Sequence, residues 1–180
     1  MSLFSQLKTV QGQQWLVVDK VRVPDIEKLA YLYIPNVEVV QLFKGTPFEH
    51  LNEIGPVAIK YTAVKEFEDL LLNDFALTTS SVLFTVNDTK DNEELIQHLQ
   101  ALHYVVKNDS PIFFRYYTNS LWDEICDDLN EKDIVTLLGP FTHISWISKN
   151  KTVNNIENKN KTKELKLPYQ LTSDIFNKLV

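Results

Sequence analysis

The sequence predicts an α/β layered fold with a mixed, partly parallel sheet flanked by helices, plus a C-terminal helix after a polar linker. Three observations predict it. Short runs rich in valine, isoleucine and aromatic residues recur along the chain, helix-period segments lie between many of them, and the composition changes abruptly after Ser148. With 180 residues, of which 44% are hydrophobic and 23% charged, the chain falls in the size range of one domain and carries enough apolar side chains for its own core.

The strand candidates, in order, are 15–18, 37–43, 57–61, 82–86, 104–106, 112–117 and 141–147. Between the third and fourth, Val64, Phe67, Leu71 and Phe75 share one helical face, and Leu95, Leu99 and Leu102 do the same before the fifth. Asp91 with Glu94 and Ser120 with Asp123 mark helix starts, where a short polar side chain meets free backbone donors and an acid complements the helix dipole. The second of these helices turns Trp122, Ile125, Cys126 and Leu129 inward and leaves Asp123, Asp127 and Asp128 on its other side. Those acids read as a solvated face rather than a metal site. Only Lys-Asn-Asp-Ser-Pro separates the runs at 104–106 and 112–117, which predicts a hairpin and hence an antiparallel pair added to crossover-connected strands.

The composition divides the chain into an α/β region at 1–148, a polar Lys/Asn-rich loop or linker at 149–163 and a C-terminal segment at 164–180. The last has a helix cap at Thr172 or Ser173 and an apolar stripe of Ile175, Phe176 and Leu179. That helix either docks back on the core or contacts a partner.

Charge and composition exclude several functions. A net charge of -6 opposes nucleic-acid binding, and the lysine-rich 149–163 lacks aromatic rings to stack on bases. Cys126 is the only cysteine, so no intrachain disulfide forms and a thiolate zinc site lacks ligands, which fits a reducing, cytoplasmic setting. No apolar run is long enough to span a membrane. The 4 glycines are not clustered into a phosphate-binding loop. His50, His98, His103 and His143 form no metal-protease pair, and Cys126, on an apolar helix face, reads as an inert thiol. No residue is therefore assigned to catalysis, to a cofactor or to a metal; carboxylates meeting in a cleft remain the one route to acid–base chemistry.

Five segments occur in a telling order. They are Trp15–Asp19, the run 42–61 with its Leu-Phe and Gly-Pro, the helix 93–102 with His98-Leu99, Phe114-Arg115-Tyr116-Tyr117-Thr118-Asn119 before a helix, and Gly139-Pro140 before an aromatic-rich strand ending near Trp146. Together they resemble the type VI secretion effector-loading adaptor chaperones of the Tap or Tec kind, first catalogued as a domain of unknown function. Thr118 and Asn119 stand where the family usually has Asp-Pro, and Gln100 where it has arginine. The resemblance implies a non-catalytic protein that binds a toxin effector in the producing cell and helps load it onto the secretion spike. Its partners would be the effector and the spike-tip protein, with neither nucleic acid nor membrane involved. A toxin-binding immunity protein and a small α/β enzyme using clustered carboxylates are the rival readings.

Trp15, Asp19, His98, Phe114, Arg115, Gly139 and Pro140 form the structural signature of that resemblance. Arg115, in an otherwise apolar run, needs a counter-charge such as Asp19 if it is buried, and a contact with the client protein is the alternative. Gly139 ends a helix and Pro140 prevents its continuation. His98 reads as a partly buried hydrogen-bonding residue. Tyr116, Tyr117, Trp122 and Trp146 are the candidates for partner contact; in a strand Tyr116 and Tyr117 point to opposite faces, so one of the two faces outward.

Overall fold

The computed structural model describes residues 12–160 and 164–180. Its first half runs β1 (Gln13–Val18), α1 (Ile26–Tyr33), β2 (Val39–Gln41), β3 (Val57–Lys60), α2 (Lys65–Asn73), α3 (Phe75–Thr79) and β4 (Ser81–Val86). There follow α4 (Asn92–Ala101), β5 (Tyr104–Lys107), β6 (Ser110–Phe113), α5 (Asn119–Ile125), α6 (Glu131–Leu138), β7 (His143–Ile147), β8 (Val153–Glu157), β9 (Tyr169–Gln170) and a 3₁₀ helix at Asp174–Leu179.

Six strands form one sheet in the order β2-β3-β1-β4-β7-β8, and β6-β5-β9 form a second. Every pairing in the larger sheet is antiparallel, and only β5 with β9 is parallel. The mixed, partly parallel sheet expected from strand–helix alternation is met in part, by the smaller sheet, where β5 pairs antiparallel with β6 and parallel with β9; the larger sheet is antiparallel. A helix between two strands makes them parallel neighbours only if the second lies beside the first in the same direction. Here β1 sits between β3 and β4 and runs against both.

The central strands carry apolar side chains on both faces because both faces of the sheet are covered. Trp15, Val17, Val82 and Phe84 enter one core, where α4, α5, α6 and the small sheet contribute Leu95, Trp122, Leu137 and Val105. Their strand neighbours Leu16, Val18 and Leu83 enter the other, with Ile26, Ala30, Phe67, Leu71 and Leu77 of α1, α2 and α3. The result is three layers, with the period-2 alternation of β1 and β4 dividing the side chains between two cores.

Local chemistry explains where elements stop. Asp74 Oδ1 accepts the N–H of Leu77 at 2.8 Å, which ends α2 and starts α3. The break turns Phe75, expected on the buried face of one long helix, out to 76% exposure. Asn108 and Asp109 have φ of 49° and 62° between the paired Lys107 and Ser110, a two-residue hairpin turn whose hand matches the twist of the strands. The strand expected to continue to residue 117 ends at Phe113; one more cross-strand bond follows, from the Phe114 N–H to the His103 carbonyl at 2.9 Å, and the chain then turns at Tyr116 and Tyr117. The helix start expected at Ser120 falls at Asn119.

The polar stretch after Ser148 contains β8, an edge strand that pairs with β7 from His143↔Glu157 to Ile147↔Val153. Residues 161–163 of that stretch lie outside the described residues. An edge strand needs one buried side chain at most, here Ile156, so its composition resembles that of a loop. The C-terminal segment docks on the core as a 3₁₀ helix instead of an α-helix, and Phe176 is fully buried edge-on to Phe114. The buried Asp133 carboxylate holds this segment by accepting the Thr172 N–H at 2.9 and 3.0 Å, the Thr172 hydroxyl at 3.0 Å and the Ser173 N–H at 2.6 Å.

Candidate functional site

The segment Phe114–Thr118 crosses from β6 to α5 without regular structure. Phe114, Tyr116 and Tyr117 are all buried, as are Trp122 and Trp146. Because the segment is not a strand, consecutive tyrosines are free to point inward together, and their rings meet edge to face at 5.6 Å. Tyr116 OH donates to the Leu99 carbonyl at 2.8 Å, and Trp122 Nε1 donates to the Tyr116 carbonyl at 2.6 Å. Trp146 Nε1 donates to Asp123 Oδ1 at 2.7 Å and packs against Trp122 at 6.0 Å. The four aromatic residues expected to offer partner contacts are therefore core residues in this structure, and the polar atoms of Tyr116, Trp122 and Trp146 are engaged internally. Burial pushes the hydroxyl pKa of both tyrosines upward, and for Tyr117 it outweighs the opposing Arg115 charge.

Arg115 goes the other way. Its Nη2 donates to Asp19 Oδ2 at 2.7 Å, and Asp19 is the carboxylate anticipated for it. The burial is opposite to the expectation: the Asp19 side chain is 3% exposed and the Arg115 side chain 54%. Asp19 Oδ1 also accepts the Val21 N–H at 3.0 Å, so the buried member is held from two sides. The guanidinium lies 5.8 Å from the Tyr117 ring and opens onto a surface cleft of about 680 Å³. Asn119 Nδ2, beside the cleft, donates to the Ile147 carbonyl at 2.9 Å and so ties the start of α5 to β7.

A second node is closed. His98 Nε2 donates to the Leu137 carbonyl at 3.0 Å, which leaves Nδ1 to accept the Tyr169 hydroxyl at 2.8 Å. Burial lowers the His98 pKa to about 4, against the opposing pull of the Leu137 carbonyl. Gly139 ends α6 with φ of 55°, and a Cβ there would lie 2.3 Å from His98 Cε1. Gly139 is thus required twice, by its backbone and by the imidazole against it. Pro140 follows where the helix has stopped. Trp15 is fully buried at the centre of the large sheet.

Sequence reasoning missed three features. His103 is buried among the rings of Phe43 and Tyr116, both 5.0 Å away, and burial holds its pKa at about 4. Phe48 and Phe113 stack edge-on at 5.1 Å beside the exposed Tyr104, forming an aromatic patch at the outer edge of the small sheet. Tyr31 and Leu32 project from α1 at 62% and 71% exposure. No spacing signal marks these, since an exposed aromatic and a buried one look alike in sequence. Among the described residues no group of three or more histidines, cysteines and acids is placed to hold a metal ion, and none of the helices is long and apolar enough to cross a membrane. Cys126 is half-buried, its thiol pKa raised by burial and by Asp127.

Comparison with known proteins adds one finding. A search of curated proteins and a search of solved structures each return no match. The family model described as domain of unknown function DUF4123 matches residues 14–134. The match takes in Trp15, Asp19, His98 and the Phe114–Asn119 segment, while Gly139, Pro140 and Trp146 lie beyond it. That family is associated with effector-loading adaptors of type VI secretion. On a match that spans most of its length and contains the Asp19–Arg115 pair, this chain belongs to the DUF4123 family.

Proposed function

We propose that the chain is a non-catalytic adaptor that binds a type VI secretion effector in the cytoplasm of the producing cell and helps load it onto the secretion spike. The observation that carries this reading is the family match over residues 14–134. The fold supports it in two ways. The large side chains of the signature segment are spent on a rigid core, and separate exposed features, the patch of Phe113 and Tyr104 and the projecting Tyr31, Leu32 and Phe75, are left for a partner. The two most buried histidines are held neutral and locked in aromatic or hydrogen-bonded surroundings, which suits a scaffold better than proton transfer.

The test is deletion of the gene combined with affinity purification of the full chain from its native cell. An adaptor co-purifies with an effector and a spike protein, and its deletion abolishes effector delivery while the cell stays resistant to its own toxin. Loss of self-protection on deletion would assign the chain to toxin neutralisation instead. Recovery of no secretion component would overturn the reading.

A further inference from the structure

Both arginines of the chain, Arg22 and Arg115, open onto the same cleft of about 680 Å³, and Lys149 and Lys151 line it too. Four cationic side chains thus converge from three separate parts of the sequence. The single carboxylate among the lining residues is Asp19, which is buried and already engaged by Arg115 and the Val21 N–H. Arg22 reaches only the Thr79 hydroxyl, at 3.5 Å, and Arg22, Lys149 and Lys151 make no ion pair among the described residues.

This concentration of positive charge stands on a chain whose net charge is -6. Like charges gathered in a low-dielectric cleft repel one another and focus a field that attracts the opposite sign. The lysines are presented by ordered backbone: the Lys149 N–H is held by Asp123 Oδ2 at 3.0 Å, and Lys151 sits at φ 57° in the β7–β8 turn. Phe75, 76% exposed, lines the same cleft and adds an apolar ring to the cationic wall.

We propose that this cleft binds an acidic peptide segment of a protein partner, with carboxylates facing Arg22, Arg115, Lys149 and Lys151 and an apolar side chain against Phe75. The charge surplus calls for an anion, and the exposed ring calls for an apolar group beside it. A peptide carries both on one strand. A nucleic-acid backbone would meet the acidic remainder of the surface wherever it left the cleft. The inference deepens the adaptor reading and rests on it only in assigning the segment to a secreted partner.

The test uses the full chain and a fluorescein-labelled peptide, EDLFED, read by anisotropy, with the peptide KKLFKK, inorganic phosphate and a single-stranded oligonucleotide as alternatives. EDLFED is expected to bind, and the combined variant Arg22→Glu, Lys149→Glu, Lys151→Glu to weaken it by about tenfold or more with an unchanged melting temperature. Phe75→Ala is expected to weaken it severalfold. Failure of EDLFED to bind, equal binding by the charge-reversed variant, or tighter binding of phosphate or oligonucleotide would each overturn the proposal. If the charge-reversed chain still co-purifies with effector and spike protein, the cleft inference fails and the adaptor reading stands. If EDLFED binds the cleft but the wild-type chain recovers neither component, the adaptor reading fails and the cleft remains.

Discussion

His98 and Arg115 each join parts of the chain that are distant in sequence, and they do so under opposite conditions. His98 is buried and both its ring nitrogens are taken: one donates to Leu137, the other accepts from Tyr169, and Gly139 leaves room for the ring. The imidazole stays neutral because burial of the ring disfavours its charged form. At the Asp19–Arg115 pair only the carboxylate is buried, while the guanidinium remains half in solvent. A closed node can be lost only by disrupting the fold. An open one can exchange part of its solvation for a partner while its internal bond persists, and this is the difference that turns one node into architecture and the other into a surface.

The sharpest way to break the closed node is Gly139→Ala. The methyl group would meet the His98 ring at 2.3 Å, on a backbone at φ 55° that alanine disfavours. We expect a loss of about 3 kcal/mol in urea denaturation; a loss below about 1 kcal/mol would show that the ring yields easily.

Acidification attacks the same node more gradually. His98 and His103 titrate near 6.5 when unfolded and at about 4 in the fold. The folded values are the lower ones, so the unfolded chain takes up protons first as pH drops. The stabilisation is therefore complete above about pH 6.5 and declines toward pH 4, by up to about 1.4 kcal/mol per pH unit for each histidine. His98→Gln should remove roughly half of this slope between pH 6.5 and 5, read by urea denaturation at each pH. An unchanged slope would mean that His98 is not the group responsible.

At the open node, Arg115→Met leaves the Asp19 carboxylate buried without its cation. Breaking a fully buried pair costs about 3–5 kcal/mol, but water already shares this guanidinium, so about 1–2 kcal/mol is expected. Adding Asp19→Asn should recover part of that loss, and a double-mutant cycle with no coupling would reduce the pair to a surface contact. The smallest effect on stability is expected from reversing Arg22, Lys149 and Lys151, all exposed. It should stay within about 0.5 kcal/mol per site in thermal denaturation while peptide binding falls, which separates the surface role of this node from its structural one.

The two nodes were unequally legible. An arginine in an apolar run requires an acid, so Asp19 could be named for Arg115 from residue chemistry alone. Gly139 could be read as a helix end, but the imidazole that also demands it comes from a helix far away in sequence. The aromatic residues misled for a definable reason: 112–117 has the composition of a strand, yet a strand exists only where a neighbouring ladder continues, and β5 pairs with β6 only as far as Phe113. The lysines after Ser148 looked like solvated loop residues because composition does not reveal that β8 holds their turn beside Arg22 and Arg115.

The sequence by itself determined which segments are apolar on one face or on two, where Asp91 and Gly139 bound their helices, and that a hairpin spans Asn108 and Asp109. These depend on interactions within a few residues, such as a side chain capping a nearby N–H or a turn demanding positive φ. Only the tertiary structure decided that the large sheet is antiparallel, that Tyr116 and Tyr117 both face inward together with Trp146, and that four cations meet at one cleft. Each of those turns on which distant segments become neighbours, and that choice is set by burying both faces of a shared sheet, a sum over the whole chain that no local pattern contains.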